Sequence, residues 1–257
     1  MKNLLAVALL GAAWPVCGQD AAQNWKETTS AAFKIHYTVD DESLASSLVA
    51  NMEEGTKTVE LFFQKRFSKP FDVFVFPSRS ALDKQWQTDW GAPEFKSECW
   101  MVASGVGHRF DLLSPLVWEQ EACEHNARNQ EETQKLFTHE LVHVFHGQQN
   151  PVPDFTGLDD LAWLIEGVAV YASGQLDETR MASLRKLVSE NKHPKKLNAF
   201  WSGKDKYGLA GSLVQFIDRK VGRAKLLSFL KETKQETILA QLGLTEDQLI
   251  EAWQKSL

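Results

Sequence analysis

The chain has 257 residues, 43% of them hydrophobic and 24% charged, with a formal net charge of −6. This is an ordinary globular composition, long enough to bury a full core, and it excludes disordered, collagen-like and low-complexity classes. No internal stretch is apolar for long enough to span a bilayer and no Lys/Arg run reads as a nucleic-acid arm, so stable membrane insertion and nucleic-acid binding are disfavoured.

Met1-Lys2 precedes a short apolar run from Leu4 to Ala13 that Trp14-Pro15 breaks. A basic start and a hydrophobic core of this length read as a secretory signal over residues 1–18, with a secreted or periplasmic mature chain of charge 27 − 34 = −7 once Lys2 is removed. Lipid anchoring through Cys17 is the weaker reading, because Trp14-Pro15-Val16 suits that processing poorly. Two cysteines then remain. Cys99 and Cys123 form either a disulfide, which would contribute about 3 kcal/mol in the chain-entropy model, or two buried thiols.

Phe33-Lys34-Ile35-His36-Tyr37 alternates as a strand does, and a helical stripe follows from about Glu42 to Phe67. Phe71–Phe76 reads as a second strand, and Pro77-Ser78 as the cap of a short helix through Leu82 and Trp86. Trp100 to Val106 and His108 to Leu113 are extended pieces around Gly105 and Gly107, consistent with a hairpin. From Arg128 onward every strong signal is helical. The order predicts an α+β fold: an N-terminal mixed part with a small sheet over 19–150 and a C-terminal helical part over 151–257, with a loop from Gln148 to Gly157 between them.

The helical stretch before that loop contains His139-Glu140-Leu141-Val142-His143. On a helix the two imidazoles lie one turn apart on one face and can reach a single zinc ion, while the Glu reaches a water beside it. The pattern arises by chance about once in seventy chains of this composition, so its surroundings must decide. They are apolar: Leu136, Phe137, Leu141, Val142, Val144 and Phe145 bury the helix on most sides, and polar groups there need partners or a metal. Surface histidines would sit in an amphipathic helix instead. After the loop, Glu166 is the one carboxylate in the apolar run Leu161 to Tyr171 and needs a cationic partner, which a zinc held by His139 and His143 would supply. Gly167 beside it permits close approach of a neighbouring helix.

His139-Glu140-x-x-His143 followed by Trp163-Leu-x-Glu166-Gly167-x-Ala169-x-Tyr171 resembles the gluzincin metallopeptidases, most nearly their peptidase MA-like domains. Weaker matches extend over Tyr207 to Phe216, Val221 to Leu227 and Glu251-Ala252-Trp253. The resemblance implies a zincin-like fold with a cleft between its two parts, one Zn²⁺ held by His139, His143 and Glu166, Glu140 as general base, and a peptide or protein substrate. An oxyanion donor is also implied. Tyr207 is the candidate, with a packing role equally open and His193 as a weaker rival. An edge strand that binds extended peptide is assigned to Trp100 to Val106. The aminopeptidase segment Gly-x-Met-Glu-Asn is absent, so an endopeptidase is favoured, and the Glu-x-x-x-Asp pattern of thermolysin-like enzymes is absent too, with Val170 at the Asp position.

His146 shares the helix face but lies two turns from His139 and reads as a residue of the cleft rim; His36, His108 and His125 read as structural or surface groups. Tyr171 reads as core or as a support for the metal ligands. The tryptophans fill cores and cleft walls or line a sugar groove. The basic run from Lys192 and the acidic one from Glu119 to Glu132 read as solvated faces. Two other functions stay open: a non-catalytic binding or accessory protein, and a zinc hydrolase of a non-peptide amide. The oligomeric state is not readable from the sequence.

Overall fold

A computed structural model describes residues 24–257; the proposed signal segment and Cys17 lie outside the described residues. The N-terminal half builds a five-stranded mixed sheet from β1 (Lys26–Thr29), β2 (Phe33–Tyr37), β3 (Phe71–Phe76), β4 (Ala103–Val106) and β5 (Arg109–Leu113). Its strand order is β1-β2-β3-β5-β4. The two inner pairings, β2 with β3 and β3 with β5, are parallel, and both edges are antiparallel. Parallel neighbours need a crossover, which α1 (Ala45–Phe63) supplies between β2 and β3, while the Gly107-His108 turn closes the β4–β5 hairpin.

Period-2 alternation sets the faces. Phe33 and Ile35 on β2, and Phe71, Val73 and Val75 on β3, are all buried. Leu48, Met52, Val59 and Phe63 form the matching stripe on α1. The expected helix from Glu42 is shortened at both ends. Val39–Leu44 coils as a 3₁₀ turn, and Gln64 stops α1 in the left-handed region at φ 51°. The short helix α2 (Arg79–Asp89) begins as expected, with Ser78 Oγ accepting from the Ala81 N–H at 3.2 Å. Strand β1 was not anticipated, because Lys-Glu-Thr-Thr is polar and half-exposed and gains its order only by pairing with β2.

From the single turn α3 (Trp118–Glu121) onward the chain is helical: α4 (Gln130–Gln149), α5 (Ala162–Ala172), α6 (Glu178–Ser189), α7 (Lys206–Val221), α8 (Arg223–Phe229), α9 (Gln235–Leu242) and α10 (Glu246–Gln254). Helix α4 runs under β4 and against α1 and is buried without interruption from Leu136 to Gly147. Helix α5 packs between α4 and α7. A Cβ at Gly167 would fall 2.5 Å from the Ala210 carbonyl oxygen, so the α5–α7 approach requires glycine there. Among the described residues no helix is long and apolar enough to cross a membrane.

Candidate metal centre

The burial of α4 turns its polar residues into a site. His139 and His143 are 6% exposed, and Glu140 between them is 7% exposed. Helical spacing brings the two imidazoles together, with their Nε2 atoms 3.1 Å apart. Glu166, on the face that α5 presents to α4, sets Oε2 3.4 Å from the first Nε2 and 3.5 Å from the second. Three donor atoms of the kinds that zinc prefers therefore converge within 4.8 Å of one another, and this group could hold a metal. Burial alone would push the Glu166 carboxyl up, but His143 and then His139 outweigh it and hold the group well below the usual carboxylate range.

His139 has a further partner. Its Nδ1 lies 2.9 Å from Gln175 Oε1, an acceptor that fixes the ring with Nδ1 protonated and Nε2 free to bind a metal. Gln175 comes from the irregular segment after α5, where no periodicity or motif marks it, and sequence reasoning missed it.

Glu140 does not point at the other three groups' shared centre as a ligand. It faces β4, where the Gly105 N–H is near enough to favour its charged form. Burial pushes its carboxyl up to about 7, against the pull of His139 and that N–H, and Glu166's charge adds to the rise. A carboxylate poised near neutrality and beside a cleft has the properties of a general base.

The cleft has two lobes that meet at His139 and Glu140. One, of about 380 Å³, runs past Phe155, Ile165 and Trp90. The other, of about 270 Å³, runs past Leu136, Glu132 and His125. Trp100, Met101, Ala103, His139, Glu140 and Tyr207 line both. Tyr207, in the first turn of α7, has its ring 6.4 Å from that of His139. Burial, followed by the charges of Glu166 and Glu140, pushes its phenol up to about 12.

Other expectations change. Strand β4 is the sheet edge along the cleft, but only Ala103–Val106 is strand; Trp100 to Val102 precede it in irregular backbone tied to the Cys99–Cys123 disulfide, whose Cα atoms are 5.3 Å apart. His146 is not on the rim. It is 1% exposed beneath Phe155, and burial, followed by the charge of His143, pushes it down to about 3, so it stays neutral. His193 packs on Trp253 and meets Lys195 Nζ at 2.9 Å, away from both lobes. Tyr171 gives its hydroxyl proton to Asp218 at 3.1 Å and supports no ligand. The tryptophans serve both ends: Trp163 and Trp253 are core, Trp90, Trp100 and Trp201 wall the cleft, and the buried Trp86 and Trp118 do both.

No family model matches the sequence, and no curated protein matches it. Among solved structures, the M1 zinc metallopeptidase of Deinococcus radiodurans and a point mutant of it each superpose with a TM-score of 0.49 at 14% sequence identity. The match covers 89% of this chain and 50% of each of those, so the chain spans about half their length.

Proposed function

We propose that the protein is a secreted or periplasmic zinc-dependent peptidase of the gluzincin type, with a zincin-like fold, acting as an endopeptidase. The observation that carries this reading is the convergence of His139, His143 and Glu166 beside Glu140, in a cleft that continues on both sides of them. The donor set fits zinc: two imidazoles, one oriented by Gln175, and one carboxylate, their donor atoms within 4.8 Å of one another. A bound zinc would supply the polarisation of a carbonyl oxygen and the lowered pKa of a water.

The chain's own groups supply the rest. Glu140 takes a proton on its carboxylate from the attacking water and hands it to the nitrogen of the leaving amine. The Tyr207 hydroxyl donates to the carbonyl oxygen as negative charge builds there, and its raised pKa keeps that proton in place at neutral pH. Strand β4 has a free edge along the cleft, which suits an extended peptide added as a further strand. Two open lobes support cleavage within a chain.

Metal analysis of purified protein together with cleavage profiling on a peptide library, wild type against Glu140→Gln, tests the reading. One equivalent of zinc in both proteins, with cleavage only in the wild type, is the expected result. Absence of zinc, or equal profiles, would favour a non-catalytic accessory role; cleavage of simple amides but no peptide would favour the non-peptide hydrolase.

A further inference from the structure

The larger lobe carries a lysine in an unusual setting. Lys206 Nζ lies 4.5 Å from the ring centroid of Trp100, 4.8 Å from that of Trp201 and 5.4 Å from that of Tyr207. Trp100 comes from the segment leading into β4 and the other two rings from the helical half, and all three line the lobe with Lys206. Aromatic faces hold a cation in position without neutralising it. Among the described residues Lys206 has neither an ion pair nor a hydrogen bond, and its neighbour Asp205 is engaged by Ser183 Oγ at 2.9 Å. Its three N–H donors are therefore available.

The other charged groups lining this lobe are all acidic: Glu140, Glu166, Asp154 and Asp159. Among the described residues Lys206 is thus the one lysine or arginine lining this lobe, and away from the metal site it is where a substrate anion meets a positive side chain rather than a carboxylate.

We infer that Lys206 is a specificity-determining residue that binds a carboxylate of the substrate, fixing which peptide bond lies at the metal centre. The inference rests on the peptidase reading above. The carboxylate comes either from an Asp or Glu side chain near the scissile bond or from the substrate's C-terminus. Both present the same chemistry to an ammonium, and the clamp of Trp100 and Trp201 has already removed much of the freedom that a lysine loses on binding.

The test uses zinc-loaded protein and two sets of paired peptides: Glu against Gln at each position around the bond, and free against amidated C-termini. Cleavage is followed in the wild type, Lys206→Met and Lys206→Arg, and equilibrium binding of the same peptides in the Glu140→Gln background. A charge-assisted hydrogen bond predicts a preference of about tenfold in kcat/KM and in affinity for the acid at one position or for the free terminus. Methionine, which keeps the apolar stem, brings that acid-to-amide ratio to near one, and arginine restores it. A preference confined to the free terminus names the C-terminal source; one confined to Glu names the side chain. Cleavage without a preference, or with one that survives Lys206→Met, overturns the assignment and leaves the peptidase standing. Charge-selective binding that Lys206→Met abolishes, without cleavage in the wild type, upholds the assignment and overturns the peptidase. Failure of every peptide to bind or be cleaved overturns both.

Discussion

Gly105 and Glu140 meet backbone to backbone: a Cβ on Gly105 would lie 2.3 Å from the Glu140 carbonyl oxygen. The edge strand and the metal-site helix are therefore in close contact at the residue proposed as base. Gly105→Ala forces β4 off α4. Overpacking of this kind costs about 1–3 kcal/mol. Urea unfolding of the two proteins measures it, and an unchanged midpoint would show that the strand shifts freely.

Gln175 orients His139 through one 2.9 Å contact. Gln175→Ala leaves the fold intact and frees the ring to rotate, and supports of this type are worth about 10- to 100-fold in metal affinity. Gln175→Glu keeps an acceptor at the same distance and retains the affinity. Competition against a chromophoric chelator reads both variants; equal affinity for zinc in Gln175→Ala would remove the residue from the site.

Asp111 gives a pH dependence whose partners, Arg109 and Trp86, are not metal-site residues. Its side chain, 5% exposed on β5, accepts from Arg109 Nε at 2.6 Å and from Trp86 Nε1 at 3.2 Å. Burial pushes its carboxyl up to about 6 from 3.8 even against Arg109. Between those values the folded state keeps a proton that the unfolded state has released. The contribution of Asp111 is therefore full below about pH 4 and is lost as pH rises through 6, by at most about 3 kcal/mol. Urea unfolding of wild type and Asp111→Asn at pH 4 to 7 isolates it: the wild type should lose stability relative to the variant as pH rises, and parallel curves would contradict the assignment.

Cys99 and Cys123 close a loop with a sequence separation of 24, and that loop ends beside Trp100 on the cleft wall. By loop-closure entropy, replacing both cysteines with serine lowers stability by about 3 kcal/mol. Reduction of the wild type should add two hydrogens to its mass and lower its Tm, whereas a Tm indifferent to reductant would mean that the loop is held by its other contacts, among them Arg79 with the Glu98, Cys99 and Met101 carbonyls.

The four residues of the candidate site were legible in the sequence because each breaks a local rule. His139, Glu140 and His143 are polar on a helix whose other faces are apolar, and Glu166 is a carboxylate in a run that otherwise belongs in a core. The same logic, carried one residue further, would have placed His146 inside: a helix buried on nearly all sides has no rim for it to occupy. Gln175 was hidden for the opposite reason. It breaks no rule, since a glutamine after a helix end is unremarkable until the tertiary fold sets it against His139. The division of tryptophans between core and cleft was equally unreadable, because it depends on which side of each wall faces the opposing half of the molecule.

Tyr207 remained open in the sequence between hydrogen-bond donor and packing residue, and its position separates the two experimentally. Its ring stacks edge-on with Trp201 at 5.0 Å, a contact that phenylalanine preserves. The hydroxyl, held protonated by a pKa of about 12, is what Tyr207→Phe removes. If that hydroxyl meets the developing oxyanion, kcat falls by about 10²- to 10³-fold while KM, zinc content and Tm stay close to wild type, since the interaction exists only as charge develops. If the ring merely packs, the variant keeps its turnover. Steady-state kinetics with one well-cleaved peptide, alongside zinc analysis of the same preparations, decides between them; turnover within twofold of wild type would leave oxyanion stabilisation without Tyr207.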